Sequence, residues 1–254
     1  MMAALFLQAE LAYRAARMSD RPFSDKIALV TGASRGIGAA TAKSLAARGA
    51  HVVLVARTAG GLEETEEAIH QTGGTATIAP LDLTDGDSIG RLAAAIGERW
   101  GRLDMLVLNA AMLGTLTPVP SIDAKEFSRL LTLNVGANQA LIAAFDPWLR
   151  QSAAPRLVAV TSSVGGAPRA YWGGYGASKA ALETLALAYA DEMAGLGDLR
   201  VAIVDPGATA TAMRKDAFPG EDPTTLKQPT VVGEAIADLL ASDFSTGSRV
   251  RVEG

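Results

Sequence analysis

The stretch KIALVTGASRGIG, residues 26–38, places an apolar, β-branched run directly before three glycines. Lys26–Thr31 has the composition of a buried strand, and Ile37–Arg48 has that of a helix. The stretch therefore predicts the first strand, a glycine-rich turn and the first helix of an α/β domain.

The three glycines of this turn meet three separate backbone requirements. Gly32 allows the tight turn, Gly36 lets the backbone approach a pyrophosphate, and Gly38 permits close packing of the helix on the strand. The helix N-terminus then offers unpaired N–H groups and a positive dipole to an anion. Ordinary βα loops also contain such glycines, but the position between a strand and a helix favours nucleotide binding.

Short apolar strands alternate with longer helical segments along the rest of the chain. Further strands are predicted at His51–Val55, Thr75–Pro80, Leu103–Leu108, Arg156–Thr161, Arg200–Val204 and Arg249–Val252. Helices are predicted at Leu62–Gln71, Ser88–Trp100, within Asp123–Leu149 and after Tyr175. The strands are continuous apolar runs, as expected when helices cover both sheet faces. The fold class is therefore α/β, a single-domain Rossmann-type doubly wound parallel sheet of about seven strands.

No repeat, linker or low-complexity segment divides the sequence. We predict one Rossmann-type domain over residues 24–254, preceded by an N-terminal extension, residues 1–23, that is helical or disordered. Met18 is an alternative start to Met1. In a doubly wound sheet ligands bind beyond the carboxyl ends of the strands, so functional residues should follow strands directly.

Composition argues against several classes of function. The net charge is −4 without a long basic cluster, so nucleic acid is not an expected partner. The chain has no cysteine and only two histidines, which leaves little material for a metal site or thiolate catalysis. No apolar run approaches the ~20 residues of a membrane span, and no signal peptide is indicated. We expect a cytoplasmic protein without a metal.

Tyr175 and Lys179 form the pair with the clearest chemical potential. They lie four residues apart at the start of a predicted helix, and hence on one face of it. A tyrosine ionises near pH ~10, and a neighbouring cation is expected to lower its pKa towards the range useful for proton transfer to or from an alcohol. Taken alone, the pair could equally be a surface contact.

The end of the second predicted strand indicates which dinucleotide is preferred. An acidic residue there would bind a ribose 2′-hydroxyl and repel a 2′-phosphate. The chain has Ala56 in that place, followed by Arg57, and Arg35 lies in the glycine-rich turn. Because guanidinium groups suit phosphate geometry, NADP(H) is favoured over NAD(H), unless these arginines point into solvent.

With these parts assembled, the chain from about Ser24 to Gly254 resembles the short-chain dehydrogenase/reductase family. Its motifs are individually common, but their order and spacing are specific. They are TGASRGIG from Thr31, Asp82-Leu83, Leu108-Asn109-Ala110-Ala111, Asn134, Ser162, Tyr175-x-x-x-Lys179 and Pro206-Gly207. Ala212–Pro223 is similar to a bacterial oxoacyl-reductase-like subgroup of undefined substrate. The resemblance implies an NAD(P)-dependent enzyme acting on CH-OH or C=O groups.

The resemblance also implies individual roles. Tyr175 would exchange a proton with the substrate oxygen, and Lys179 would lower the pKa of Tyr175 and hold the nicotinamide ribose. Ser162 would bind the substrate oxygen, and Asn134 would position a water that relays protons to Lys179. Ser163 is the alternative to Ser162, which is preferred because it lies thirteen residues before Tyr175. The implied cofactor-binding residues are Gly32, Ser34, Arg35, Gly36, Ile37, Gly38, Arg57, Asp82, Leu83, Asn109, Tyr175, Lys179, Pro206, Gly207, Thr209 and Thr211.

The pattern departs from the family after the fourth strand, where Leu108-Asn109-Ala110-Ala111 replaces the usual Asn-Asn-Ala-Gly. One amide and one glycine are lost, which could crowd the cofactor but removes no catalytic group.

The substrate is poorly defined by these motifs, and a 3-oxoacyl compound or another small ketone fits the implied reaction. The segment 212–229 is predicted to be a mobile lid, with an ordinary surface connection as the alternative. Arg169 or Arg214 could meet an acidic substrate group or simply be solvated. Candidate pocket residues, each of which could also belong to the core, are Tyr171, Trp172, Met112, Leu113 and Met213.

Two other classes of function stay open. The chain could be a nucleotide-binding regulator that has lost turnover, or an interaction protein on the same fold. The presence of all four catalytic positions favours the enzyme. Family members commonly associate through their long helices, so a homodimer or homotetramer is expected.

Overall fold

Seven parallel strands form one sheet in the computed structural model, which describes residues 21–253. The strands are β1 (Ile27–Thr31), β2 (His51–Ala56), β3 (Thr75–Pro80), β4 (Met105–Leu108), β5 (Arg156–Val160), β6 (Arg200–Asp205) and β7 (Ser248–Arg251). Their order in the sheet is β3-β2-β1-β4-β5-β6-β7. The predicted Rossmann-type α/β fold is confirmed.

Helices connect the strands and cover both faces of the sheet. They are α1 (Gly36–Ala47), α2 (Ala59–Gln71), α3 (Gly86–Trp100), α4 (Ala124–Leu131), α5 (Ala137–Leu149), α6 (Ser163–Gly166), α7 (Gly173–Met193), α8 (Ala212–Ala217) and α9 (Pro229–Ala241). Short 3₁₀ turns occur at Val119–Ser121 and Pro223–Thr225.

Two apolar cores lie on opposite faces of the sheet. On β1, Leu29 packs with the core that contains α3, α5 and α7, whereas Ala28 and Val30 belong to the core of α1, α2 and α9. All five residues of β1 are buried, because helices cover both faces of a parallel sheet. Full burial of a leucine such as Leu29 stabilises the fold by about 2 kcal/mol.

The direction of sheet growth reverses between β1 and β4. The chain first adds β2 and β3 on one side of β1, then crosses to place β4 on the other side. The connections that leave β1 and β4 diverge, and a crevice opens at their carboxyl ends. This crevice is where the functional residues were expected.

The predicted helical segment Asp123–Leu149 differs in detail from the structure. It contains α4 and α5 joined through a π-helical turn, Thr132–Gly136. A π turn inserts one extra residue into the helical repeat, a change that apolar periodicity does not reveal.

Helix α9 was not predicted from the sequence. It packs against α1 so closely that a Cβ on Gly233 would lie 2.6 Å from the Ala40 carbonyl carbon. Pro229 stands at its first turn, where the missing N–H has no intrahelical partner to lose.

The predicted N-terminal extension falls mostly on residues 1–20, outside the described residues. The boundary at Ser24 stays a prediction. Phe23, on the other side of that boundary, is buried in the core with α1, and its N–H donates to the Arg48 carbonyl at 3.1 Å.

Asp104 anchors the end of the sheet opposite the crevice. Its carboxylate accepts hydrogen bonds from Ser152 Oγ at 2.6 Å and the Ile27 N–H at 2.9 Å, and it pairs with Lys26 and Arg102, each at 3.1 Å. Burial alone would raise the pKa of Asp104, but the Ser152, Ile27 and Lys26 contacts outweigh burial and hold the pKa below its ordinary value.

The substitution Asp104→Asn should lower the free energy of unfolding at neutral pH by about 2 kcal/mol, because it removes a buried charge from four donors. The greater stability of the wild type is fully present above pH ~4, the pKa of an aspartate in the unfolded chain. It is lost as pH falls through the lower pKa that Asp104 has in the folded protein. Urea unfolding of both proteins at neutral and acidic pH measures this. The control Asp238→Asn, at a carboxylate with 71% of its side chain exposed, should change stability by less than about 0.5 kcal/mol. A difference between Asp104→Asn and wild type that grows on acidification would contradict this account.

Candidate active site

The glycine turn after β1 forms a cradle of exposed backbone. Gly32 and Gly36 have φ angles of 66° and 58°, a region that residues with a Cβ rarely adopt. A Cβ on Gly38 would lie 2.2 Å from the Gly32 carbonyl oxygen, so α1 could not approach the strand with any other residue there. Arg35 stands at the N-cap of α1 and forms no side-chain cap. The first N–H groups of α1 are left for a ligand, and this cradle fits a pyrophosphate.

A group of hydrogen bonds behind the cradle joins the end of β1 to the end of β4. Thr31 Oγ1 donates to the Val107 carbonyl and accepts from the Asn109 and Ala110 N–H groups, at 3.2, 2.9 and 3.0 Å. The Asn109 side chain donates to the Thr31 carbonyl at 2.8 Å. The side-chain amide of Asn109 thus supports the cradle from behind, and the predicted contact of Asn109 with the cofactor stays a prediction.

The outer rim of the crevice carries the residues predicted to face adenosine. Arg35 and Arg57 are exposed, and among residues 21–253 neither guanidinium forms an ion pair. Asp82 accepts hydrogen bonds from the N–H and hydroxyl of Thr84, which lower its pKa, with a smaller contribution from the charge of Arg57. Leu83 is buried beside this rim. The rim is therefore cationic.

The loop after β6 closes the crevice from the other side. Gly207 has a φ angle of 62°, and its N–H donates to Asp205 at 3.0 Å. The Thr209 hydroxyl donates to the Pro206 carbonyl at 3.1 Å within the loop, and the predicted contact of Thr209 with the cofactor stays a prediction. Thr211 reaches the cradle: its Cγ2 lies 3.6 Å from the position of a Cβ on Gly36. The same loop therefore touches the cradle directly.

Tyr175 and Lys179 lie on the first turns of α7, and both are buried. The Lys179 ammonium lies 5.6 Å from the centre of the Tyr175 ring and donates to the Val160 carbonyl at 2.8 Å. The pKa of Tyr175 is raised by burial and by the charge of Asp205, while burial lowers the pKa of Lys179 to about 8. The expected lowering of the Tyr175 pKa is not met, because in this arrangement desolvation of the phenol dominates.

Ser162 directly follows the end of β5. Its backbone is extended, with φ −163° and ψ 151°, and its carbonyl accepts the Gly165 N–H at 2.9 Å. The preceding Thr161 points its hydroxyl to Glu183, so Ser162 faces the opposite way. Ser162 is half-buried, whereas Ser163 is exposed on the first turn of α6. The choice of Ser162 over Ser163 stays a prediction.

Asn134 lies fully buried in the π-helical turn. Its side-chain oxygen accepts the Met112 N–H, and its amide group donates to the Met112 carbonyl, both at 2.9 Å. The amide also donates to Ser178 Oγ at 3.0 Å, and that hydroxyl donates to the Tyr175 carbonyl at 2.7 Å. Asn134 thus ties the loop after β4 to the helix that carries Tyr175. The water relay implied for Asn134 stays a prediction.

Trp172 and Met213 lie against Tyr175, and further residues of the segment after β6 pack around them. The Tyr175 hydroxyl contacts the Met213 sulfur at 3.8 Å, and the Trp172 ring lies edge-on to Tyr175 at 6.0 Å between centres. Phe218 packs on Trp172 at 5.7 Å. Arg214 binds Glu221 through two hydrogen bonds of 2.6 Å. The predicted lid segment is thus folded over the phenol through α8.

Comparison with known proteins identifies the family. A model described as short chain dehydrogenase matches residues 26–222. The chain belongs to the short-chain dehydrogenase family. It is 38% identical to an uncharacterized oxidoreductase, YciK, of Escherichia coli strain K12, over 87% of this chain and 88% of that protein. It is also 32% identical to a cis-4-hydroxycyclohexanecarboxylate dehydrogenase of Sinomonas cyclohexanicum, over 91% of this chain and 96% of that protein.

A solved structure of this family has nearly the same fold. A short chain dehydrogenase of Escherichia coli CFT073, complexed with NADPH, is 37% identical and superimposes with a TM-score of 0.88, over 92% of this chain and 99% of that chain. The family predicted from the motifs is confirmed, and the protein is an NAD(P)-dependent oxidoreductase. Within residues 21–253, no helix combines the length and apolar character needed to cross a membrane.

Three functional-site residues of this dehydrogenase were missed from the sequence. Thr161 and Glu183 form a buried pair beside Lys179, and Ser178 joins Asn134 to Tyr175. Glu183 follows Lys179 at the spacing that relates Lys179 to Tyr175, so helical periodicity alone could have revealed it.

The substitution Gly38→Ala should weaken NADPH binding at least about tenfold, because the added methyl group pushes α1 away from the Gly32 carbonyl and opens the cradle. Fluorescence titration with NADPH measures the dissociation constant. Gly90→Ala is the control, since a Cβ on this α3 residue meets nothing within 4 Å. Unchanged NADPH affinity in folded Gly38→Ala would show that the cradle does not hold the dinucleotide.

Proposed function

We propose that the protein is an NADP(H)-dependent reductase of a small ketone, or a dehydrogenase of the corresponding secondary alcohol, with Tyr175 as proton donor and acceptor. The observation that carries the proposal is the loop after β6. Thr211 packs at the Gly36 cradle, and two residues later Met213 contacts the Tyr175 hydroxyl. A ligand that fills the cradle and extends along this loop would therefore reach the phenol.

The cationic rim supports preference for NADP(H). Arg35 lies in the glycine turn and Arg57 follows β2, and Ala56 leaves no carboxylate at the strand end to repel a 2′-phosphate. Guanidinium groups bind phosphate oxygens through paired N–H donors. Two similar structures are complexed with NADP and with NADPH.

The nicotinamide, when bound, supplies or accepts the hydride. Tyr175 gives its phenolic proton to the carbonyl oxygen during reduction, and Ser162 donates a hydrogen bond to the same oxygen. Lys179 stabilises the resulting phenolate through its positive charge. Placing these donors before the reaction begins reduces the cost of organising them in the transition state.

The electrostatics of the phenol set the protonation state in which Tyr175 waits for substrate. Burial and Asp205 raise the pKa of Tyr175, so at neutral pH the side chain holds its proton. A protonated phenol is the form that reduction of a ketone consumes. Oxidation of an alcohol needs the phenolate, which Lys179 must stabilise against the same burial.

The surroundings of Tyr175 support a compact substrate with an apolar body. Trp172 and Met213 border the phenol with aromatic and thioether surface, and Phe218 packs on Trp172. A 3-oxoacyl compound or another small ketone is therefore the proposed class. The relative that acts on cis-4-hydroxycyclohexanecarboxylate adds cyclic ketones to the compounds for assay. A homodimer or homotetramer and a cytoplasmic location complete the proposal, and light scattering would measure the assembly size.

The substitution Tyr175→Phe should lower kcat by at least about a hundredfold, because it removes the proton donor and keeps the ring. NADPH affinity should stay within about twofold of wild type. NADPH oxidation with a panel of ketones, diketones and acyl thioesters gives the rates. Tyr189→Phe is the matched control on the same helix: its hydroxyl bonds Asp146 at 2.8 Å, remote from the crevice. Near-normal turnover in Tyr175→Phe would refute the assignment.

The paired substitution of Arg35 and Arg57 by Gln should weaken NADPH binding at least about tenfold and leave NADH binding within about twofold, because only NADPH carries the 2′-phosphate. Calorimetric titrations with both nucleotides measure the ratio. Arg150→Gln serves as control, since this guanidinium pairs with Asp146 at the opposite end of the sheet. Equal losses for NADPH and NADH would count against a phosphate-binding role.

A further inference from the structure

Tyr175, Lys179 and Glu183 form a stripe of three buried polar side chains on α7, spaced by four residues each. The stripe faces the sheet, where an ionised group is costly unless another charge or hydrogen bond compensates it. Tyr175 and Lys179 belong to the proposed reaction, whereas Glu183 has no role in it so far.

The Glu183 carboxylate is held by partners from two other elements. Thr161, directly after β5, donates its hydroxyl to Oε1 at 2.5 Å, and Arg249 of β7 pairs with Oε2. Only 8% of the Glu183 side chain is exposed, whereas 56% of the Arg249 side chain is exposed. The cation of this pair is therefore partly hydrated, and the carboxylate faces inward.

The same strand end holds the Lys179 ammonium. Val160, the last residue of β5, accepts the Lys179 hydrogen bond, and the next residue is the Thr161 that binds Glu183. A carbonyl oxygen satisfies one N–H of the ammonium but supplies no full negative charge. The carboxylate one helical turn away is the charge that can compensate the buried cation.

We propose that Glu183 is a positioning residue that keeps Lys179 protonated in its buried site. The proposal rests on the proposed function, in which protonated Lys179 stabilises the phenolate of Tyr175. The charge of Glu183 opposes the effect of burial, which lowers the pKa of Lys179 to about 8.

The charged and titratable groups around Lys179 come from three elements. Tyr175 and Glu183 lie on α7, Arg249 of β7 lies on the far side of Glu183, and Asp205 at the end of β6 acts on Tyr175. Asp205 is itself paired with Arg251 at 3.7 Å. Glu183 is the group whose charge raises the pKa of Lys179.

Two substitutions break the same ion pair with opposite electrostatic consequences. Glu183→Gln keeps an oxygen that can accept the Thr161 hydrogen bond and removes the negative charge, so the pKa of Lys179 should fall by about one pH unit. Arg249→Gln keeps the negative charge and removes a competing cation, so the pKa of Lys179 should stay or rise. A purely structural ion pair would make both variants change alike.

The measurement is an NMR titration of the full-length protein labelled with isotope-enriched lysine. The Lys179 signal is assigned by its loss in Lys179→Gln, and circular dichroism confirms that each variant is folded. A lowered pKa in Glu183→Gln with an unchanged or raised pKa in Arg249→Gln supports the proposal. An unchanged pKa in Glu183→Gln, or equal changes in both variants, overturns it. If Glu183→Gln does not fold, a lowered pKa in Arg249→Gln overturns it, and an unchanged or raised pKa supports it.

The titration needs neither substrate nor nucleotide, so its result is separate from the reaction. If no carbonyl compound is reduced, the proposed function is refuted. The measured pKa values of Lys179, and the inference about Glu183 drawn from them, are unaffected. Where turnover is found, activity that depends on protonated Lys179 is present below its pKa and lost as pH rises through it. The alkaline limb of the pH profile of kcat should then move to lower pH in Glu183→Gln, by as much as the Lys179 pKa falls in the NMR titration. An alkaline limb that stays in place would contradict a role of Glu183 in catalysis.

Discussion

The close approach of the Gly32 carbonyl to Gly38 governs the geometry of the whole crevice. The N-terminus of α1 can lie between the ends of β1 and β4 only because a side chain is missing at that contact. Thr31 and Asn109 lock the two strand ends behind the turn, and Thr211 closes on Gly36 in front of it. A dipole with free N–H groups is thereby fixed at the point where the sheet changes direction.

Helix α7 places ionisable side chains in an apolar layer. Its first turns bury Tyr175 and Lys179, while the residues further along the helix pack in the core. Burial opposes charge on both groups, and hydrogen bonds to the Val160 carbonyl of β5 and from Asn134 of the π-helical turn hold this end of the helix in place. Ser178 shares the helix turn with Lys179 and carries the link to Asn134. The first turns of α7 are thus supported through polar contacts and the later turns through apolar ones.

The sequence predicted the parts of this protein that follow from local patterns. Continuous apolar runs located the strands, and the glycine turn located the crevice, because both depend on the preferences of neighbouring residues. The partners of those groups depend on residues far apart in the chain. The hydrogen bond of the Asn109 amide to Thr31 is an example, and the Thr209 hydroxyl bonds to Pro206 within its own loop. The raised pKa of Tyr175 reflects burial, a quantity that no spacing of residues reports. The π turn around Asn134 escaped prediction because helix continues on either side of it.

Thr211 and Met213 stand only two residues apart, yet one lies at the cradle and the other at the phenol. Thr211 also caps α8 by accepting the Arg214 N–H at 3.1 Å, which makes the segment short and stiff. The cradle and the phenol are therefore bordered by one continuous piece of backbone, the start of α8.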